Sequence, residues 1–325
     1  MTKLQTEVEN IKKMINHAQN IAVVGHHNPD GDCIGCCVAM SLWLESKGKN
    51  VAIFADGDIP EKFSYMPKVQ EFNAHPEIEH FDLLIVLDLS DSKRLGVWEN
   101  LPNISDQIIV IDHHIKPAFK RVNILIDMPQ YASCGEIIFE LFELLKVKLT
   151  IEMATALYTS IICDTGCFLF SNTTANTHRV AEALMERHKL EIEMINFRNF
   201  RAYDRCVIPV VTYVLKNMKF EFGGRLSISV LPYKIVKKWN LNYESRHGLF
   251  KYATDANGVI SSIFITELAK GEFNVSLRSL GDIDVAKIAQ KLNGGGHRNA
   301  SGATYKGQLK DLKQILIAEF AKVLA

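Results

Sequence analysis

Short apolar runs constrain this chain more than any other feature. Four are unbroken: 21–24 (IAVV, closed by Gly25), 51–54 (VAIF), 83–87 (LLIVL) and 108–111 (IIVI). A fifth, 122–126 (VNILI), carries a single Asn. A strand with one face in water alternates apolar and polar residues. A strand that does not alternate is buried on both faces, the pattern of a parallel sheet covered on both sides. Polar or Pro-containing segments separate the runs. Helices are predicted at about 33–46, 135–146, 152–163 and 174–188 from their apolar spacing. Leu4, Val8, Ile11 and Ile15 add an amphipathic first helix. The expectation is an open α/β domain over 1–190.

A chain of 325 residues favours two domains. Residues 191–218 read as a helical connector interrupted near Pro209. Beyond it RLSISVL, SSIFITEL and FNVSLRS read as strands with helices between them, and a last helix is predicted at about 309–324. The alternation predicts a smaller α/β domain over 219–325 whose sheet has one solvated face.

In open parallel sheets, ligands sit beyond the carboxyl ends of the strands. The chemically active residues follow that rule. His26, Asp30 and Asp32 lie in HHNPDGD after the first run, and Asp88 ends LLIVLD. Asp112, His113 and His114 end IIVIDHH, and Asp164 lies in CDTG, where a helix gives way to a turn at Gly166. His26, Asp30, Asp32, Asp88, His113 and Asp164 can be read as a complete two-metal set. Mixed carboxylates and imidazoles suit Mn, Fe, Co or Zn better than Mg. Two such ions held about 3.5–4 Å apart share a hydroxide and clamp a phosphoryl group. Pro29 and Gly31 allow the tight turn that aims Asp30 and Asp32 at one point. The competing reading is structural: Asp32 caps the helix starting at Cys33, and Asp88 caps a turn. Two adjacent His after a strand are harder to explain that way.

HHNPDGD, VIDHH and CDTG resemble the DHH phosphoesterase superfamily in order and content, and NGGGHRNASGA resembles the glycine-rich signature of the DHH-associated domain. The resemblance runs from His26 to about Lys306. It implies the nanoRNase-like branch, the bifunctional oligoribonuclease and 3′-phosphoadenosine-5′-phosphate phosphatase type. It implies an active site in the cleft between the two domains, with the six residues as metal ligands and Asp88, with Asp164, bridging. Asp88, His113, His114 and Asp164 are the expected catalytic group, His114 contacting phosphate or a ligand. One departure stands out. The family commonly has Gly-Ser after the first motif, and this chain has Gly35-Cys36. Cys33, Cys36 and Cys37 crowd that helix start, and packing is the favoured reading over a reactive thiol.

Gly294, Gly295 and Gly296 precede His297, and glycines let backbone N–H groups converge on an anion. Alone this loop is weak evidence. Arg278 and Ser279 in SLRS, with His297 and Arg298, make it a candidate phosphate pocket, since Arg pairs with phosphate in fork geometry. The resemblance implies that this loop holds the far end of the substrate. Arg198, Arg201 and Arg205 form a basic stripe interleaved with Phe197, Phe200 and Tyr203, read first as a solvated face with packed Phe residues.

Lys plus Arg and Asp plus Glu both number 37, which argues against a grip on long duplex nucleic acid. No secretory signal or membrane-length apolar run is visible, and the seven Cys have no framework spacing. A cytoplasmic protein without a membrane partner is expected, and a homodimer through the N-terminal domain is compatible with it. The first expectation is a phosphodiesterase and phosphatase using two divalent ions, Mn²⁺ foremost. It would cut very short RNA, such as linear dinucleotides, to mononucleotides and 3′-phosphoadenosine 5′-phosphate to AMP. The alternatives are a cyclic dinucleotide phosphodiesterase or inorganic pyrophosphatase, and a non-catalytic nucleotide sensor.

Overall fold

A computed structural model describes residues 2–74, 79–89, 91–114, 119, 121–202, 205–241, 249 and 251–324, without the side chains of Lys251 and His297. Tyr203 of the basic stripe lies outside the described residues. The chain divides into two compact units, Met1–Ala202 and Tyr203–Ala325.

The first unit contains α1 (Lys3–His17), β1 (Asn20–Val24), α2 (Gly31–Ser46), β2 (Asn50–Phe54), β3 (Phe81–Leu87), β4 (Ser105–Asp112), β5 (Ile124–Asp127), α3 (Cys134–Leu144), α4 (Ile151–Asp164), α5 (Ala175–Arg187) and α6 (Ile192–Asn196). All five strands pair in parallel, in the order β2-β1-β3-β4-β5. Successive side chains along β1, β3 and β4 enter two different cores. Ile21, Val23, Leu83, Ile85, Ile109 and Ile111 face the helices. Ala22, Val24, Leu84, Val86, Ile108 and Val110 face Leu95 and Leu101 from short 3₁₀ turns. Both faces are therefore buried, one by helices and one by irregular chain. That is why the runs do not alternate.

Local chemistry fixes the helix starts. Thr2 and Gln5 form a capping box on α1, Ser133 caps α3, and Thr150 caps α4. Helix α2 is apolar nearly all round and buried over most of its length, the signature of a core helix. It packs between the sheet and α4.

The second unit contains α7 (Val207–Asn217), β6 (Lys219–Glu221), β7 (Leu226–Leu231), α8 (Tyr233–Lys238), α9 (Lys251–Thr254), β8 (Ser261–Ala269), β9 (Glu272–Ser279), α10 (Val285–Gln290), β10 (Gly295–His297), β11 (Ala300–Lys306) and α11 (Leu309–Leu324). Its six-stranded sheet runs β10-β11-β9-β8-β7-β6, with only β7 and β8 parallel. Leu312, Leu316, Phe320 and Leu324 of α11 cover one face. Val207, Val210 and Val214 of α7 pack with Leu231 and Phe264 on the other. The expected single solvated face is thus corrected: β8 is buried on both sides, and only β9 alternates cleanly.

The helical segment after 190 breaks at Ala202, not at Pro209. Pro209 is the third residue of α7, where a missing N–H breaks no helical hydrogen bond. Residues Phe197–Arg201 form a single π turn. Arg205 therefore does not share a helix face with Arg201, and Arg198, Arg201 and Arg205 are all exposed.

Candidate metal centre

The strand order makes the site. From β1 the chain passes to β2 on one side, and β3 lies on the other. The loops leaving β1 and β3 part at this switch point, the place where open parallel sheets bind their ligands. His26, Asp30 and Asp32 follow β1, Asp88 follows β3, and His113 and His114 follow β4.

Asp88 is at the centre. Its backbone sits in the left-handed region at φ 57, which costs a non-Gly residue about 1–3 kcal/mol and recurs at functional sites. The side chain is 2% exposed. Oδ2 lies 3.4 Å from His26 Nε2, and Oδ1 lies 3.4 Å from His113 Nε2 and 3.5 Å from His114 Nδ1. Two groups with metal-ligand spacing meet around it. One is His26, Asp30 and Asp88; the other is Asp32, His113 and Asp164. His113 Nε2 lies 3.2 Å from Asp164 Oδ2 and 3.6 Å from Asp32 Oδ2. A further group joins Asp88, Asp112, His113 and His114.

The rings are oriented for ligation. His26 Nδ1 is 2.9 Å from the His27 carbonyl, and His113 Nδ1 is 3.3 Å from the Tyr131 carbonyl. A carbonyl only accepts, so each Nδ1 carries the proton and each Nε2 faces the carboxylates. Asp88 Oδ1 is buried with no hydrogen-bond donor, a costly condition that a cation at this position would relieve. Two imidazoles with four carboxylates fit a divalent transition metal. Burial works against charge on His26, yet Cys33 and the carboxylates of Asp30 and Asp88 push it up to about 12. Burial opposes charge on His113 too, and Asp88, Asp32 and Asp164 push it up to about 10. Asp32 and Asp164 are raised by burial and by neighbouring carboxylates. Asp88 is held below the usual carboxylate range by the two histidines, against the opposing pull of burial.

The cap reading falls on a different residue than expected. Asp30, not Asp32, caps α2: its Oδ1 accepts from the N–H groups of Asp32 and Cys33. The positive φ in this loop belongs to Asn28, at 53, not to Gly31. Gly31 is needed for close packing, since a Cβ there would lie 2.1 Å from Cys163 Sγ.

Several contributors carry no assigned role in the sequence reading. Asp112 accepts from the His113 N–H at 2.8 Å, and its Oδ1 lies 2.7 Å from His114 Nδ1, which leaves His114 Nε2 available. Asn172 donates to the Asp164 carbonyl at 3.1 Å and holds the turn after α4. The N–H groups of Cys134 and Gly135 and the Ser160 hydroxyl all reach Asp32. Only Asp112 has a local signal, in VIDHH. Cys33, Cys36 and Cys37 are buried, in line with packing, and burial pushes the Cys33 and Cys36 thiols well up.

In the second unit, the glycine loop is a short strand paired with β11. Gly295 is opposite Gly302, Gly296 opposite Ser301, and His297 opposite Ala300, which in turn pairs with Arg278. His297 and Arg278 thus share one row of the sheet. A Cβ on Gly294 would lie 2.2 Å from the Gly302 carbonyl, so this glycine is required by a close backbone approach. Ser279 Oγ donates to the Ile283 carbonyl at 2.7 Å, and Arg298 pairs with Asp282 at 3.0 Å. The side chain of His297 lies outside the described residues.

Comparison with known proteins agrees with this architecture. The DHH family N-terminal domain model matches residues 20–161, and the DHHA1 domain model matches residues 236–322. The chain is 33% identical over 292 residues to the bifunctional oligoribonuclease and PAP phosphatase NrnA of Thermus thermophilus, covering 88% of this chain and 84% of that protein. It is 28% identical over 331 residues to the cyclic-di-AMP phosphodiesterase GdpP of Geobacillus thermodenitrificans, covering 93% of this chain but 46% of that one. A solved structure of an exopolyphosphatase-related protein from Bacteroides fragilis superposes with a TM-score of 0.90 at 24% identity, over 98% of both chains. No described helix is long and apolar enough to cross a membrane.

Proposed function

We propose, from the premise that this chain belongs to the DHH family, that it is a metal-dependent phosphoesterase hydrolysing very short RNA to mononucleotides and 3′-phosphoadenosine 5′-phosphate to AMP. The observation that carries this reading is Asp88. It is buried between two imidazole Nε2 atoms, each 3.4 Å away, and each belongs to a separate ligand group.

In this reading His26, Asp30 and Asp88 hold one divalent ion, and Asp32, His113, Asp164 and Asp88 hold the other, with Mn²⁺ the first choice. When bound, such a pair makes water a nucleophile at neutral pH and neutralises developing phosphoryl charge. The protein's own residues do the rest. Asp112 orients His114, so that its Nε2, when the ring carries both protons, can donate to a phosphate oxygen. The carbonyls of His27 and Tyr131 keep the two ligand rings in one tautomer. Arg278, Ser279, Gly294, Gly295, Gly296, His297 and Arg298 form the proposed substrate-holding set. Binding energy from the remote nucleotide would then position the reacting phosphate and favour short substrates.

The test is product formation with Mn²⁺ from a 5′-phosphorylated RNA dinucleotide and from 3′-phosphoadenosine 5′-phosphate. Mononucleotides and AMP are expected. Hydrolysis of a cyclic dinucleotide or pyrophosphate at a higher rate than either would overturn the assignment.

A further inference from the structure

Asp32 lies in the first turn of α2 with no exposed surface. Three helices supply its hydrogen-bond donors. Oδ1 accepts from the Ser160 hydroxyl of α4 at 2.5 Å, the Gly135 N–H of α3 at 3.2 Å and the Cys36 thiol of α2 at 3.2 Å. Oδ2 accepts from the Cys134 N–H at 2.8 Å and lies 3.6 Å from His113 Nε2. Three donors occupy Oδ1. Oδ2 has one and keeps capacity on the side of His113 and Asp164. The carboxylate is therefore held in a single orientation, with one oxygen turned to the protein and one to the centre.

The two side-chain donors are unequal. A hydroxyl is a strong donor to a carboxylate, whereas a thiol is a weak one. Position 36, the other side chain that donates to this oxygen, carries Cys. The strong donor comes from the neighbouring helix instead. Space has been cleared for it: a Cβ on Gly135 would lie 1.9 Å from Ser160 Oγ, and one on Gly35 would lie 3.1 Å from Ser160 Cβ.

We propose that Ser160 is a positioning residue of the metal centre. Its hydroxyl, with the weaker Cys36 thiol, holds Oδ1 and fixes Asp32 so that Oδ2 alone is presented to a divalent cation shared with His113 and Asp164. This rests on the reading of those three residues as ligands of one cation.

The experiment is calorimetric titration of Mn²⁺ into the metal-stripped full chain, for wild type, Ser160→Ala and the double variant Cys36→Ser/Ser160→Ala. Removing a partner that orients a ligand typically weakens metal binding about 10–100-fold, so Ser160→Ala should lose that much for one ion and leave the other within about threefold. The double variant should regain most of the loss, because the hydroxyl introduced at position 36 would donate to the same oxygen. General loosening of the fold would weaken both ions and would not be rescued. Unchanged binding in Ser160→Ala, equal loss at both ions, or no rescue by Cys36→Ser would each overturn the proposal. If Ser160→Ala does not fold, Ser160→Cys keeps a weak donor there, and it should show a smaller loss confined to the same ion; wild-type affinity would overturn it. A wild-type chain that binds no Mn²⁺ would refute the ligand reading itself, and the inference with it.

Discussion

Replacing Gly135 by Ala sets two calculable effects against each other. Gly135 is the second residue of α3. Ala in a helix is favoured over Gly by about 0.5–1 kcal/mol, so propensity alone predicts a more stable protein. The added methyl would lie 1.9 Å from Ser160 Oγ, 2.7 Å from Ser160 Cβ and 3.4 Å from the Leu157 carbonyl. Ordinary contact begins near about 3.5 Å, so α3 and α4 must part by about 1.5 Å or Ser160 must turn away. Overpacking of this kind costs about 1–3 kcal/mol in a dense interior. The expected net loss is about 0–2.5 kcal/mol, a fall of up to about 10 °C in Tm for a unit of this size. Either response also pulls a donor from Asp32: the N–H groups of α3 if the helices part, the hydroxyl if Ser160 turns. Affinity for one Mn²⁺ should then fall by about tenfold or more. Thermal melting and Mn²⁺ calorimetry on the same preparation read both quantities. A variant that melts at or above wild type with both ions bound as before would refute the packing argument.

Asp88→Asn keeps shape and removes charge shared by both ligand groups, so turnover should fall at least about 10³-fold while circular dichroism is unchanged; retained activity would contradict the bridging assignment. In the metal-free fold His26 and His113 keep protons that the unfolded chain releases near pH 6.5, so their stabilisation is complete below that pH and fades as pH rises through about 10 and about 12. Metal binding must displace those protons, so the rise in Tm caused by saturating Mn²⁺ should widen from about pH 6 to about pH 8, and a constant or narrowing gap would count against it. Arg278→Ala should raise KM for the dinucleotide about tenfold or more with kcat largely kept, and unchanged KM would remove it from the substrate-holding set.

The metal candidates are legible because each of His26, Asp88 and His113 stands at the end of an unbroken apolar run, and a parallel sheet brings such ends together without further information. Those three need only the strand rule. What the sequence does not supply is contact across distance in the chain. The donors to Asp32 at positions 134, 135 and 160 lie more than a hundred residues away and come from helix starts and flanks that look ordinary on their own. The cap on α2 falls two residues from its expected place, because DGD offers two carboxylates and only geometry chooses between them. The second sheet reads as half-solvated when the alternation in β9 is extended to β8, where α7 closes the other face. Pro209 reads as a break because its tolerance in a first helical turn depends on where that turn begins.

The thiols packed into α2 and α3 bear on which metals this centre can discriminate. Cys33, Cys36 and Cys134 stand among the carboxylates and imidazoles, and burial pushes all three up, Cys134 to about 12. Thiolate, the softest donor a protein offers, would add to the hold of copper and zinc on such a site. A thiol whose proton is held by burial is a poorer donor, because the metal must displace that proton first. Discrimination among metals bound there would then depend partly on the apolar packing behind the candidate ligands, and a substitution that let water reach these sulfurs should shift metal preference without altering a candidate ligand.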